Sequence, residues 1–183
     1  MMPAGLLMIE HRLIERAMGA MKAELVRMTE QQRVDAAFID LALDFFKTYA
    51  DRCHHGKEED ILFRDLAEKP LSEAHRKVMD GLVEDHVYGR RTIGKLMLEK
   101  DRWIRGDRGG LTGAVACIKD LTEFYPRHIE KEDKHFFIPV MEYLSKAEQD
   151  GMIQAFAEFD RKMIREKYGS VVEQLERQAK ERS

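Results

Sequence analysis

The amino-acid sequence predicts an all-α protein: an up-down-up-down four-helix bundle with an additional C-terminal fifth helix. Three observations lead there. Long stretches of the chain carry apolar residues at alternating three- and four-residue spacing, the period of one helix face. Gly and Pro are scarce inside those stretches. Hydrophobic residues make up 44% and charged residues 36%, so solvated and buried positions must be closely interleaved, as they are on amphipathic helices. A chain of 183 residues is long enough to bury one core. The expected organisation is a bundle over 1–144 and a C-terminal helix over 145–183, packed on it or extending from it, in a single domain overall.

The first helix is expected from about Pro3 to Met28, with the stripe Leu7, His11, Ile14, Met18, Met21 and Leu25. Thr29 followed by Gln32 reads as a capping box that opens the second helix. The second stripe is Phe38, Leu41, Phe45, Thr48, Arg52, His55, Glu59, Leu62 and Leu66. Pro70 stops that run, and Ser72 is the N-cap of the third helix. The third stripe is His75, Met79, Leu82, His86, Gly89, Ile93 and Leu96. The segment from Arg105 to Gly110 is the clearest loop. The fourth helix carries Leu111, Ala114, Ile118, Leu121, Tyr125, His128, Glu132 and His135. Pro126 should kink or break it near Tyr125, and Pro139 should end it soon afterwards. Ser145 and Glu148 cap the fifth helix, with the stripe Met152, Phe156, Phe159 and Met163, then Tyr168, Val172 and Leu175. The last ten or so residues are polar and expected to fray.

One arrangement occurs twice. His55-Gly56-Lys57-Glu58-Glu59 and His128-Ile129-Glu130-Lys131-Glu132 each set a histidine and a glutamate four residues apart, on one helix face. Helical phase puts His11, His55, Glu59, His86, His128 and Glu132 on buried stripes. His54 and Glu58 fall about 100° to the side. An unpaired carboxylate or imidazole is costly in a core. Six of them on four inner faces need a shared partner, and a cation cluster is the simplest one. In an antiparallel bundle the six lie at one end, in a layer within about 10 Å of common height. His135 and His54 are further candidate ligands. His75 lies about 16 Å along the axis from His86 and reads as structural. Glu10 and Asp85 each precede a ligand histidine. Surface charge is the simpler reading for them, and orientation of an imidazole on a neighbouring helix is the alternative.

Imidazole and carboxylate without thiolate suit iron, manganese or zinc. A structural zinc site would prefer cysteines, and HExxH is absent. Cys53 and Cys117 form no CxxC pair and read as small buried residues. The ferritin-like plan needs two Glu-x-x-His motifs, and only Glu132-x-x-His135 fits. The residues resemble the hemerythrin-like, HHE cation-binding family. The match runs through His11, His55-Gly-Lys-Glu-Glu59, Glu84-Asp85-His86 and His128-Ile-Glu-Lys-Glu132, over about residues 3 to 142. The resemblance implies two iron ions bridged by two carboxylates and an oxo or hydroxo group. It also implies a ligand such as O2 or another small diatomic or peroxide. Invertebrate oxygen-carrying hemerythrins place two histidines four apart on the third helix. Here Leu82 and Arg90 stand four before and four after His86. Four histidines then leave two open positions around the ions, which favours reactivity over reversible carriage unless His54 or His135 adds a fifth imidazole.

The expected function is a non-haem di-iron protein that binds O2, in oxygen binding, oxygen sensing or iron handling. One alternative is a di-iron enzyme acting on peroxide or nitric oxide, or an iron–sulfur repair-type protein. Another is a metal-stabilised helical signalling or interaction module, with the fifth helix as a possible docking surface for a protein partner. The net charge of −3 gives no reason to expect nucleic acid. No apolar run approaches the roughly 18 residues of a membrane span. With no basic leader at the start, a cytoplasmic location is expected.

Overall fold

The structure, a computed structural model, describes residues 2–181, with side chains through Lys167 and at Gly169 and Val172. The side chains of Tyr168 and Leu175, expected on the fifth stripe, and those of the polar tail lie outside the described residues.

Helix α1 spans Pro3–Gln31. Pro3 sits in its first turn, where a missing N–H removes no bond. Gln32 closes it in the left-handed region at φ 51°. Thr29 therefore lies inside α1, bonded to the Leu25 carbonyl, and opens nothing. The second helix is capped instead by Asp35, whose side chain accepts from the Phe38 N–H. Helix α2 is a helical run over 36–67. It is α-helical over Ala36–Phe45, π-helical over Phe46–His55 and Glu58–Phe63, and ends in an α turn, Arg64–Ala67.

Helix α3 spans Glu73–Ile104, with Ser72 capping it as expected. Helix α4 spans Gly109–His135. It passes through Pro126 without a break and ends at His135, four residues before Pro139. The turns on either side of Pro126 hold Leu121, Tyr125 and His128 in the core, and that burial outweighs the local cost of the proline. A turn, Phe137–Val140, and a 3-10 turn, Met141–Tyr143, lead to helix α5, Lys146–Glu181. Ser145 and Glu148 form the expected capping box at its start. The α3–α4 crossing is close: a Cβ on Gly110 would sit 2.6 Å from the Glu99 carbonyl oxygen.

Helices α1 to α4 form the bundle, and α5 lies outside it against α1 and α2. Two apolar clusters fill the interior. One joins Ile14, Met18, Ile39, Phe46, Leu96, Ile118 and Tyr125. The other joins Leu7, Leu62, Leu82, Phe136, Val140, Met152 and Phe156, so α5 contributes to it.

The expected stripes run along the buried faces of α1, α3 and α4, whereas on α2 only the second half of the stripe does. In its first half the buried residues are Ile39, Leu43, Phe46 and Ala50, whereas further on the expected His55, Leu62 and Leu66 are buried together with His54 and Glu58. Leu41 is 72% exposed, Arg52 is exposed too, and Thr48 is only half-buried. The first half of the expected stripe is a second apolar face. Phe38, Leu41 and Phe45 line a cavity of about 730 Å³ with Met163 and Ile164 of α5. An arginine on the supposedly buried stripe was the signal that the phase was wrong there.

Candidate metal centre

The π-helical geometry of α2 shapes the site. Its wider turn, closed by i→i+5 bonds, brings successive residues nearer in direction than the 100° of an α-helix. His54 and His55 are therefore both buried, and Glu58 follows them at 0% exposure. Gly56 lies beneath the Phe159 ring of α5, where a Cβ would come within 2.7 Å of the ring. The segment is thus pressed between the bundle and α5.

Among the described residues, two groups of donor atoms come together, each within 4.8 Å: His55, His86 and His128 in one, and His11, His54, Glu58 and Glu132 in the other. The two glutamates span both groups. Glu58 lies 3.2 Å from His54 Nε2 and 3.3 Å from His86 Nε2, through different oxygens. Glu132 lies 3.2 Å from His11 Nε2, 3.4 Å from His128 Nε2 and 3.6 Å from His86 Nε2. None of these contacts has hydrogen-bond geometry. The five Nε2 atoms and all four carboxylate oxygens are buried without a hydrogen-bond partner. That many orphaned polar atoms in one volume call for a shared partner.

The outer edges of the same rings are held. His11 Nδ1 donates to Asp133 at 2.7 Å, His54 Nδ1 to Glu10 at 2.8 Å and His86 Nδ1 to Glu59 at 2.6 Å. His128 Nδ1 reaches Asp85 at 3.4 Å, and His55 Nδ1 faces Asp51 at 3.4 Å without bonding it. A carboxylate can only accept, so each bonded Nδ1 carries a proton, and Nε2 is the nitrogen left to face a cation in the cage. Metal-ligating histidines are oriented in this way. Glu10 and Asp85 are thus orienting groups, where surface charge was the simpler expectation.

Cations stand behind these carboxylates. Arg12 bonds Asp133, Lys57 bonds Glu10, Lys131 bonds Asp85, and Arg90 bonds both Asp51 and Glu59. Lys57 is only 1% exposed, because Asp160 of α5 flanks its other side. Three rings also stack on phenylalanines: His11 on Phe137, His86 on Phe63 and His128 on Phe124.

Burial and charge oppose each other here. Burial pushes His11 down, but Asp133 and Glu132 lift it to about 10. Burial also opposes charge on His86, and Glu132, Glu58 and Glu59 raise it to about 11. Burial and Glu58 push Glu132 up, yet His128, His11 and His86 hold it at about 2. Burial raises Glu58 too, and His54 and His86 bring it well below the usual carboxylate range. His55 is driven well down by burial and by its neighbour His86. The site stabilises positive charge placed between the two carboxylates.

Of the residues expected from sequence, the structure brings His11, His55, His86, His128 and Glu132 together. His54, held as a further candidate, joins them. Glu59 does not: it is 27% exposed on the outer side of α2, bonding His86 Nδ1 and Arg90. Glu58 takes the inner place, because the His-x3-Glu pair that faces inward is His54 with Glu58. His135 is exposed at the end of α4 and lies outside the site. His75 is structural, as expected, with its Nδ1 2.9 Å from the Tyr143 hydroxyl.

A helical bundle with a buried imidazole–carboxylate cage defines a cation-binding bundle protein. The chain belongs to the hemerythrin family: the model of the hemerythrin HHE cation-binding domain matches residues 2–139. No curated protein and no solved structure gives a match. Among the described residues, no helix is long and apolar enough to cross a membrane.

Proposed function

We propose that this chain holds two iron ions in the cage and uses them to bind O2. The observation that carries the reading is the set of five inward Nε2 atoms and four carboxylate oxygens, all buried and lacking partners. Imidazole with carboxylate is a donor set that suits iron. His55, His86 and His128 would hold one ion, His11 and His54 the other, and Glu58 and Glu132 would bridge them. The imidazole that oxygen-carrying hemerythrins take from a second histidine on their third helix is supplied here by His55 of α2. Bound iron would supply the electrons that a diatomic ligand accepts.

The count of donors bears on reversibility. Five imidazoles and two carboxylates are gathered here, and with a bridging oxygen they would supply eleven of the twelve donors that two six-coordinate ions take. That set would leave one position for a ligand, where four histidines would leave two. A single open position favours binding over turnover. The chain's own part is to aim the rings, exclude water with Phe63, Phe124 and Phe137, and keep the protons of the bonded imidazoles at Nδ1.

The test is metal analysis of anaerobically purified protein, with visible spectra before and after air. The reading expects two irons per chain and new bands that reverse under vacuum. Bands that form and do not reverse would support peroxide or nitric-oxide chemistry instead. Zinc alone, or no iron, would overturn the di-iron reading.

A further inference from the structure

We propose that Arg90 is the positioning residue that aims two of the three imidazoles in the His55–His86–His128 group, and so sets the affinity of one metal subsite separately from the other. The inference rests on the two-ion reading above. Arg90 Nε donates to Asp51 Oδ1 at 2.7 Å, and that same oxygen faces His55 Nδ1 at 3.4 Å. Arg90 Nη2 donates to Glu59 Oε1 at 2.6 Å, and that same oxygen accepts from His86 Nδ1 at 2.6 Å. The two rings are stacked, 3.9 Å apart and 12° from parallel. One guanidinium therefore stands behind two parallel imidazoles of one group.

The geometry needs an arginine. Its planar fork presents fixed, divergent donors that can hold two carboxylates at once, whereas a lysine ammonium is a single point on a flexible stem. Asp51 and Glu59 are both on α2, eight residues apart, and Arg90 is on α3. The clamp thus fixes the rotation of the π-helical segment relative to α3, and with it the direction of two Nε2 atoms. The other cations behind the cage, Arg12, Lys57 and Lys131, each serve the carboxylate of one histidine. Arg12 does so in the other group, through Asp133 and His11.

Anaerobic titration of the metal-free full-length chain with Fe²⁺, against a chromophoric chelator, tests the assignment. Wild type should take two ions per chain. Arg90→Met should keep one at wild-type affinity and weaken the other by about 10- to 100-fold, the usual effect of losing an outer partner of a metal ligand. Arg90→Lys should recover part of that loss. Arg12→Met should also weaken one ion, and the double variant should weaken both, because the two arginines serve different groups. Asp51→Asn gives a second route: it should weaken the Arg90-dependent ion by less, since only the carboxylate facing His55 is lost and His86 keeps Glu59. Circular dichroism of the metal-free variants confirms that each is folded. Two ions at unchanged affinity in Arg90→Met, or equal weakening of both, would overturn the assignment. So would one ion left at full affinity in the double variant. Fewer than two ions in wild type would overturn the two-ion reading itself, before any variant is considered.

Discussion

Glu58 and Glu59 are adjacent on α2, and exchanging each for alanine should have opposite consequences. Glu58 places one oxygen 3.2 Å from His54 Nε2 and the other 3.3 Å from His86 Nε2. Its removal takes one of the four donors from the His11–His54–Glu58–Glu132 group and one of the two carboxylates that span both groups. We expect Glu58→Ala to hold at most one ion per chain after desalting. Glu59 touches only the outer nitrogen of His86 and Arg90. Its loss unfastens one ring without removing a donor, so Glu59→Ala should keep two ions with affinity lower by about 10- to 100-fold. That corresponds to roughly 1.4–2.8 kcal/mol. The assay is the metal-to-protein ratio of desalted protein by elemental analysis, followed by chelator competition, with circular dichroism as the control for folding. Because the residues are neighbours, a general disturbance of α2 would affect both alike. Two ions retained by Glu58→Ala and lost by Glu59→Ala would place α2 in a regular α-helical register and refute the π-helical reasoning.

Four further outcomes follow from the same contacts. His54→Ala should lower metal content while His135→Ala leaves it unchanged, by the same elemental analysis, since only His54 is in the cage. Gly56→Ala should destabilise the chain by about 1–3 kcal/mol in urea unfolding, because its Cβ would lie 2.7 Å from the Phe159 ring; combining it with Phe159→Ala should cost less than the two separately. Gly110→Ala should cost more than Gly56→Ala in the same assay, because its Cβ meets the backbone of Glu99 and Trp103 rather than a ring that can turn aside. Glu148 is held at about 2 by Lys69 and Ser145, below its ordinary 4.5, so its charged form stabilises the fold. That contribution is complete above pH 4.5 and is lost as pH falls towards 2; Glu148→Gln should flatten this part of the thermal-stability profile.

The sequence by itself determined the five helices, the caps at Ser72 and Ser145, and the inward places of His11, His86, His128 and Glu132. Helices α1, α3 and α4 are regular around these residues, so a fixed angle per residue carries the phase from the apolar stripes to the ligands. On α2 that rule failed twice. Two apolar faces compete there, one seated in the bundle and the other turned toward α5, and periodicity does not rank them. The π-helical turns then bring His54 and His55 nearer in direction than an α-helix would, and both reach the cage. The inner Glu58 and the outer Glu59 could be told apart only in the folded chain. The carboxylates behind the rings were barely legible either. Glu10 orients a histidine on α2 and Asp85 one on α4. Their neighbours in sequence, His11 and His86, are held by Asp133 and Glu59 instead. Such bonds depend on the distance and rotation between two packed helices, and local sequence encodes the face of one helix, not the angle at which another meets it.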